Sequence, residues 1–235
     1  MSAERSPRQT AGASSSGKKR KLHPVVELVG LVVVALGLAL GIQWLLVKPY
    51  QIPSGSMLPT LDLGQRVLVN RIGHRLGGDP SVGDVVVFHP PRGAEPQKSG
   101  LKLGDESPGL CGDRDNIAQG RPCASTVGGK WGKENYIKRV VAGPGDTIAV
   151  RDGHVIRNGK RQSEPFISDT CEGQGSDNNP CTLPKAIKVP AGMYYMMGDN
   201  RGESNDSRFW GPVPRDWIVG GAFATYWPPK KIGGV

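Results

Sequence analysis

The chain has no Cys-x-x-Cys spacing, no internal repeat and no cluster of histidines; His23, His74, His89 and His154 are scattered along it. The missing cysteine spacing and dispersed imidazoles argue against a zinc site, so neither a metal nor another cofactor is expected. The same scatter leaves any reactive serine without a credible imidazole partner. Aromatic residues are few, at 6%, and no long stretch repeats its apolar residues every 3.6 positions. Both shortages argue against a helical bundle. Long apolar runs are scarce too: one occurs, at residues 25–47, with no second candidate span.

Glycine and proline are abundant instead, at 34 and 20 residues, and short valine-rich runs recur between them. That composition points to turn-rich β structure. Strands are expected at 65–70, 84–89, 135–141, 147–151, 154–157, 193–197 and 218–226. Asp152-Gly153 and Asn158-Gly159 supply the hairpin signals between the central ones. The expected fold is mostly β: an antiparallel β-sheet catalytic core with a small second β lobe, preceded by one transmembrane helix. The domain boundaries read as a disordered basic tail at 1–23, a membrane helix at 24–47, a core at 48–151 and 191–235, and a second lobe at 152–190. Residues 92–133 lack periodicity and are too long for a plain connection, so they read as an insertion in the core.

The apolar run is broken only by Glu27 and Gln43. Its length reaches about 35 Å as a helix, against about 30 Å of hydrocarbon. Lys48-Pro49-Tyr50 follows it where a cleaved leader would carry a small-x-small site, so the run reads as a permanent anchor. Lys18, Lys19, Arg20 and Lys21 precede it, and this basic flank favours a cytoplasmic N-terminus with residues 48–235 outside. The expected location is the plasma membrane, in a single pass. A nucleic-acid patch is the rival reading of the positive charge, but the basic run abuts an apolar helix; the bilayer is the expected partner and nucleic acid is not. Cys111, Cys123, Cys171 and Cys181 all fall on the outer side, where disulfides persist. Three pairings are open, and the local one, 111–123 with 171–181, closes the shortest loops.

Just beyond the anchor lies Pro53-Ser54-Gly55-Ser56-Met57. Prolines 53 and 59 stiffen this segment and Gly55 permits a tight backbone, so the Ser56 hydroxyl can be held in a fixed place. Ser54 adds a second hydroxyl two residues away, a candidate oxyanion donor. A lysine is the remaining choice of base, and Lys138 lies in an apolar strand pattern on the same face as Tyr136 and Val140. An unperturbed lysine is only about 0.04% neutral at pH 7; burial that lowers its pKa to about 8 raises this to about 10%. As a bland alternative, Lys138 is an edge lysine with its stem packed. A polar segment, Gly198 to Arg208, follows the apolar 193–197 strand and reads as a site wall in which Asp206 and Arg208 pair. It also contains Asn205-Asp206-Ser207, a glycosylation acceptor pattern of little specificity.

Four segments together resemble the bacterial type I signal peptidases, membrane-bound Ser/Lys-dyad serine proteases. They are Pro53 to Thr60, Gly83 to Phe88, Tyr136 to Asp146 and Gly198 to Arg208, spread over about 150 residues. The resemblance implies Ser56 as nucleophile, Lys138 as general base and Ser54 in the oxyanion hole. It also implies Ser204 orienting the lysine and Asp206 supporting it in partnership with Arg208. The substrates so implied are secreted preproteins with an Ala-x-Ala-like preference before the cut. Ile52, Met57 and Ile137 are candidate pocket walls. Met57-Leu58 and Phe209-Trp210 read either as bilayer-interface residues or, for Trp210, as ordinary core. The sequence departs from some family members in its single anchor, short second lobe and insertion at 92–133.

Three rivals remain. A self-cleaving repressor-type Ser/Lys protease is disfavoured by the anchor and the lack of a helical DNA-binding domain. A penicillin-recognising enzyme is suggested only by Ser99-Gly100-Leu101-Lys102, which has neither a helical setting nor a following Lys-Thr-Gly. A non-catalytic membrane-anchored β scaffold would tolerate Ser56→Ala and Lys138→Ala without loss of function.

Overall fold

The computed structural model describes residues 23–75, 77–92, 94, 120–126, 130–168, 171 and 181–235, with backbone alone at 39, 42–46, 74 and 75. Residues 1–22 of the tail expected at 1–23, most of the insertion, and Cys111 with its pairing to Cys123 lie outside the described residues. Two compact units make up the chain, Met1–Ile42 and Gln43–Val235.

Helix α1 (Pro24–Leu46) is 23 residues long. Proline at the first helical position sacrifices an N–H that has no partner there anyway, and Glu27 in the first turn suits the positive end of the helix dipole. Its described side chains are largely exposed valines and leucines. Among the described residues, no helix is long and apolar enough to cross a membrane. The side chains at 39 and 42–46 fall outside that description, so the transmembrane helix expected at 24–47 is not shown by the fold.

The second unit is mostly β, and all strand ladders among its described residues are antiparallel. The larger sheet runs β1 (Val47–Gln51), β2 (Arg66–Asn70), β11 (Ile218–Trp227), β3 (Val85–Phe88), β4 (Tyr136–Ala142), β9 (Met193–Met197), β10 (Val213–Pro214), with β12 (Gly233–Gly234) on β11. Strand β2 alternates buried Val67 and Val69 with outward neighbours, the pattern of a half-buried strand. Strands β3 and β4 lie at the centre and are buried on both faces, which is why their sequences are nearly continuous apolar runs. Val86, Phe88 and Val140 join Trp210, Val213 and Trp217 in one core cluster. Val85, Val87 and Ile137 join Ile52, Met57, Leu61, Val67 and Val69 in another. Each large apolar side chain buried there contributes about 1.5–3 kcal/mol. Trp210 is fully buried in this core, which settles its two readings: it is a packing residue and does not sit at a bilayer interface.

The smaller sheet has the order β7 (Lys160–Arg161), β6 (His154–Arg157), β5 (Thr147–Arg151), β8 (Leu183–Lys188). The boundary read at 152 falls inside this sheet, because Asp152-Gly153 is the turn joining β5 to β6. Both turn residues have positive φ, 50° and 76°, as do Asn158 and Gly159 at 51° and 76°. These are the left-handed pairs that match a hairpin's twist. Cys171 and Cys181 form a disulfide in this lobe.

Candidate active site

Ser56 occupies a 3-10 turn, Gly55–Met57, in the connection between β1 and β2. The base of that connection is pinched by Ile52 N donating to Gln65 O and Gly64 N to Ile52 O, at 2.8 and 2.9 Å. The tip is held from the 198–208 segment: Asn200 N donates to Ser56 O and Asn200 Nδ2 to Gly55 O, each at 3.1 Å. Met57 and Ile52 anchor the turn in the core. A buried apolar residue beside the serine and backbone bonds on either side thus fix its position.

Lys138 reaches this turn from β4, where it pairs with Val86. Its Nζ donates to Ser56 Oγ at 2.5 Å, and both residues are buried, at 4% and 7% exposure. Loss of water pushes the Lys138 pKa down to about 8 from 10.5, with Arg208 adding to the fall while Asp206 and Asp199 oppose it. Ser54 Oγ lies 3.2 Å from Ser56 Oγ on the exposed side of the turn.

Asp206 and Arg208 form a two-pronged buried ion pair, Nε to Oδ1 at 2.8 Å and Nη2 to Oδ2 at 2.9 Å. The Asp206 carboxylate also accepts from Gly198 N and caps helix α2 (Ser207–Trp210) by accepting from Arg208 N. Burial favours its neutral form, yet the Arg208 charge and these hydrogen bonds prevail and hold its pKa below the usual range. Arg208 Nη2 further donates to the carbonyls of Arg201 and Ser204. Ser204 is fully buried; its hydroxyl helps hold Asp206 low but makes no hydrogen bond of good geometry to any described group. A Cβ at position 198 would collide with Ser204 Oγ and the Ser56 carbonyl, so only glycine permits this close approach.

Two buried ion pairs escaped the sequence reading. Arg139 grips Asp199 through Nε and Nη2 at 2.9 and 2.7 Å, and Thr60 Oγ1 donates to the same carboxylate at 2.6 Å. Arg201 grips Glu164 of the small lobe at 2.6 and 3.2 Å and donates from Nε to Gly198 O. A signal for the first existed: the strand alternation puts Arg139 on one face with Ile137 and Val141, where a guanidinium requires a carboxylate. Ile52, Met57 and Ile137 are brought together in one cluster, at 1%, 0% and 7% exposure. Within the glycosylation pattern, half-buried Asn205 donates through Nδ2 to Ala94 O, and buried Ser207 accepts from Met196 N through Oγ.

Fold and geometry together define an antiparallel β protein with a candidate serine–lysine centre. The chain belongs to the signal peptidase family, peptidase S26, which it matches over residues 25–227. It is 34% identical over 209 residues to "Probable signal peptidase I-1" of Synechocystis, covering 89% of this chain and 86% of that one. It is 31% identical over 226 residues to "Signal peptidase I" of Leptolyngbya laminosa, covering 96% and 91%. A crystal structure of a signal peptidase I from Enterococcus faecalis V583 gives a TM-score of 0.38 at 22% identity, over 61% of this chain and 96% of that chain.

Proposed function

We propose that this chain is a membrane-anchored endopeptidase that removes N-terminal signal peptides from exported preproteins, with Ser56 as nucleophile and Lys138 as general base. The observation that carries the reading is the buried 2.5 Å contact between Lys138 Nζ and Ser56 Oγ, with the amine's pKa pushed down to about 8. At pH 7 about a tenth of the amines are then neutral. A neutral Nζ takes the Ser56 proton as Oγ attacks the scissile carbonyl carbon. The tetrahedral oxyanion is stabilised by Ser54 Oγ and the Ser56 backbone N–H. The ammonium then protonates the leaving amine, the C–N bond breaks, and an ester remains on Ser56. Water, deprotonated by the same lysine, hydrolyses that ester. Ser204, Asp206 and Arg208 support the lysine, and no step needs a cofactor.

Anchoring rests on α1 and its flanks. The helix counts 23 residues, its described side chains are largely exposed valines and leucines, and a basic run precedes it. With an N-terminus in the cytoplasm, Ser56 lies ten residues past the end of α1, on the side where signal peptides emerge. The non-catalytic scaffold reading gives no reason to bury an ammonium against a serine. Incubating the full chain in detergent micelles with a secretory precursor is expected to release a mature protein whose new N-terminus directly follows a small-x-small sequence. A precursor left intact, or cut at unrelated positions, overturns the reading.

Small-residue selectivity follows from Ile52, Met57 and Ile137 closing the space beside the serine. The double variant Ile52→Ala, Ile137→Ala is expected to accept larger residues before the cut, at a stability cost of about 2–5 kcal/mol per site. A peptide panel cleaved with wild-type preference removes these residues from the pocket.

A further inference from the structure

The insertion touches the candidate site at both of its ends. At its start, the buried Ala94 offers one carbonyl to two donors, Tyr136 Oη at 2.8 Å and Asn205 Nδ2 at 3.1 Å. Tyr136 stands two residues before Lys138 on β4, and its ring centroid lies 5.7 Å from Lys138 Nζ. Asn205 directly precedes Asp206. Near the insertion's end, Cys123 N donates to Arg208 O at 3.3 Å, and Thr126 Oγ1 donates to Pro212 O. A Cβ at Gly211 would strike the Ser125 carbonyl, so the two backbones are in direct contact there. Gly120 O accepts from Lys185 N of β8 at 2.9 Å, tying the same segment to the small lobe.

We propose that Asn205 and Tyr136 are positioning residues. Through the shared Ala94 carbonyl, with the Cys123 segment on the far side, the two ends of the insertion clamp the 205–208 loop over Lys138. The proposal deepens the peptidase reading and rests on it for the catalytic consequence, while the clamp itself is a statement about Lys138's surroundings. A carbonyl that accepts from both Tyr136 and Asn205 couples the ring beside the amine to the loop that carries Asp206, so releasing either donor frees both the ring and the loop.

The groups acting on the Lys138 amine are Asp206, Arg208 and Asp199 together with the Tyr136 ring, and loss of water outweighs all of them. A loosened clamp therefore admits water first, and rehydration moves the amine back toward its ordinary value. A residue that merely stabilised the fold would lower the unfolding temperature and leave this titration where it was.

The test uses the full chain in detergent micelles as wild type, Asn205→Ala, Tyr136→Phe and the double variant. Competitive acetylation with acetic anhydride across pH, read by peptide mass spectrometry, gives the Lys138 titration midpoint without reference to any substrate. Preprotein cleavage gives kcat and KM. Each single variant is expected to raise the midpoint by at least half a pH unit. Each should also lower kcat at pH 7 by about five- to fifty-fold with KM within twofold. The double variant should be no worse than the more severe single one, because the acceptor is shared. Midpoints and kcat that stay at wild type in both single variants overturn the clamp. If Asn205→Ala fails to fold, Tyr136→Phe, which keeps the ring, decides by the same readouts. A midpoint that moves in a protein cleaving no preprotein supports the clamp and refutes the peptidase reading instead.

Discussion

Replacing Lys138 with methionine is expected to abolish preprotein cleavage while making the protein more stable. Loss of a general base removes about 10²–10⁴-fold in rate, and no other described amine contacts Ser56. The stability gain follows from the same burial that makes the amine useful. The native pKa is about 8 and the unperturbed one 10.5, a gap of about 2.5 units, or about 3 kcal/mol against folding. Below pH 8 both native and unfolded chains carry the proton, so the whole penalty is present. Between 8 and 10.5 the unfolded chain holds more protons than the native one, and stability rises with pH. Above 10.5 the penalty is gone. Methionine carries no charge to desolvate, so the variant should gain up to about 3 kcal/mol at pH 7 and little at pH 11. Thermal unfolding against pH checks this; a variant that cleaves normally, or is destabilised at neutral pH, removes Lys138 from the mechanism.

Breaking the Asp206–Arg208 pair should cost more stability than any other single change in the site. Both side chains are fully buried, so Asp206→Asn leaves a guanidinium without a counter-charge, at about 3–5 kcal/mol. It also removes the largest influence holding the Lys138 pKa up, so the acid limb of kcat/KM should move to lower pH. Arg208→Met removes an influence that pulls that pKa down and should move the limb the opposite way. Limbs that stay fixed in both variants would show that the pair supports the fold without addressing the amine.

The sequence made local features legible and long-range pairings obscure. The Asp152-Gly153 and Asn158-Gly159 turns were readable because each needs two residues that tolerate positive φ. The faces of β4 were readable because strand periodicity is two, which placed Lys138 beside Tyr136 and Val140. Strand β8 is missing from the expected strands because its apolar signal is weak: only Leu183 and Ile187 among its six residues are buried. Strand β1 is also missing from the expected strands, since Pro49 weakens a strand signal, yet proline is admissible on the sheet's edge. The position of β11 between β2 and β3 could not be inferred from chain order. Arg139 with Asp199 and Arg201 with Glu164 bridge 60 and 37 positions. Burial demanded a carboxylate for each arginine, but spacing could not choose which.

The most direct measurement is acid-quench mass spectrometry of the full chain in micelles, mixed with a preprotein and stopped within one turnover. The account predicts a wild-type peptide containing Ser56 that carries the mass of the signal peptide as an ester, and neither adduct nor mature product with Ser56→Ala. Mature product formed by Ser56→Ala at the wild-type rate would contradict it.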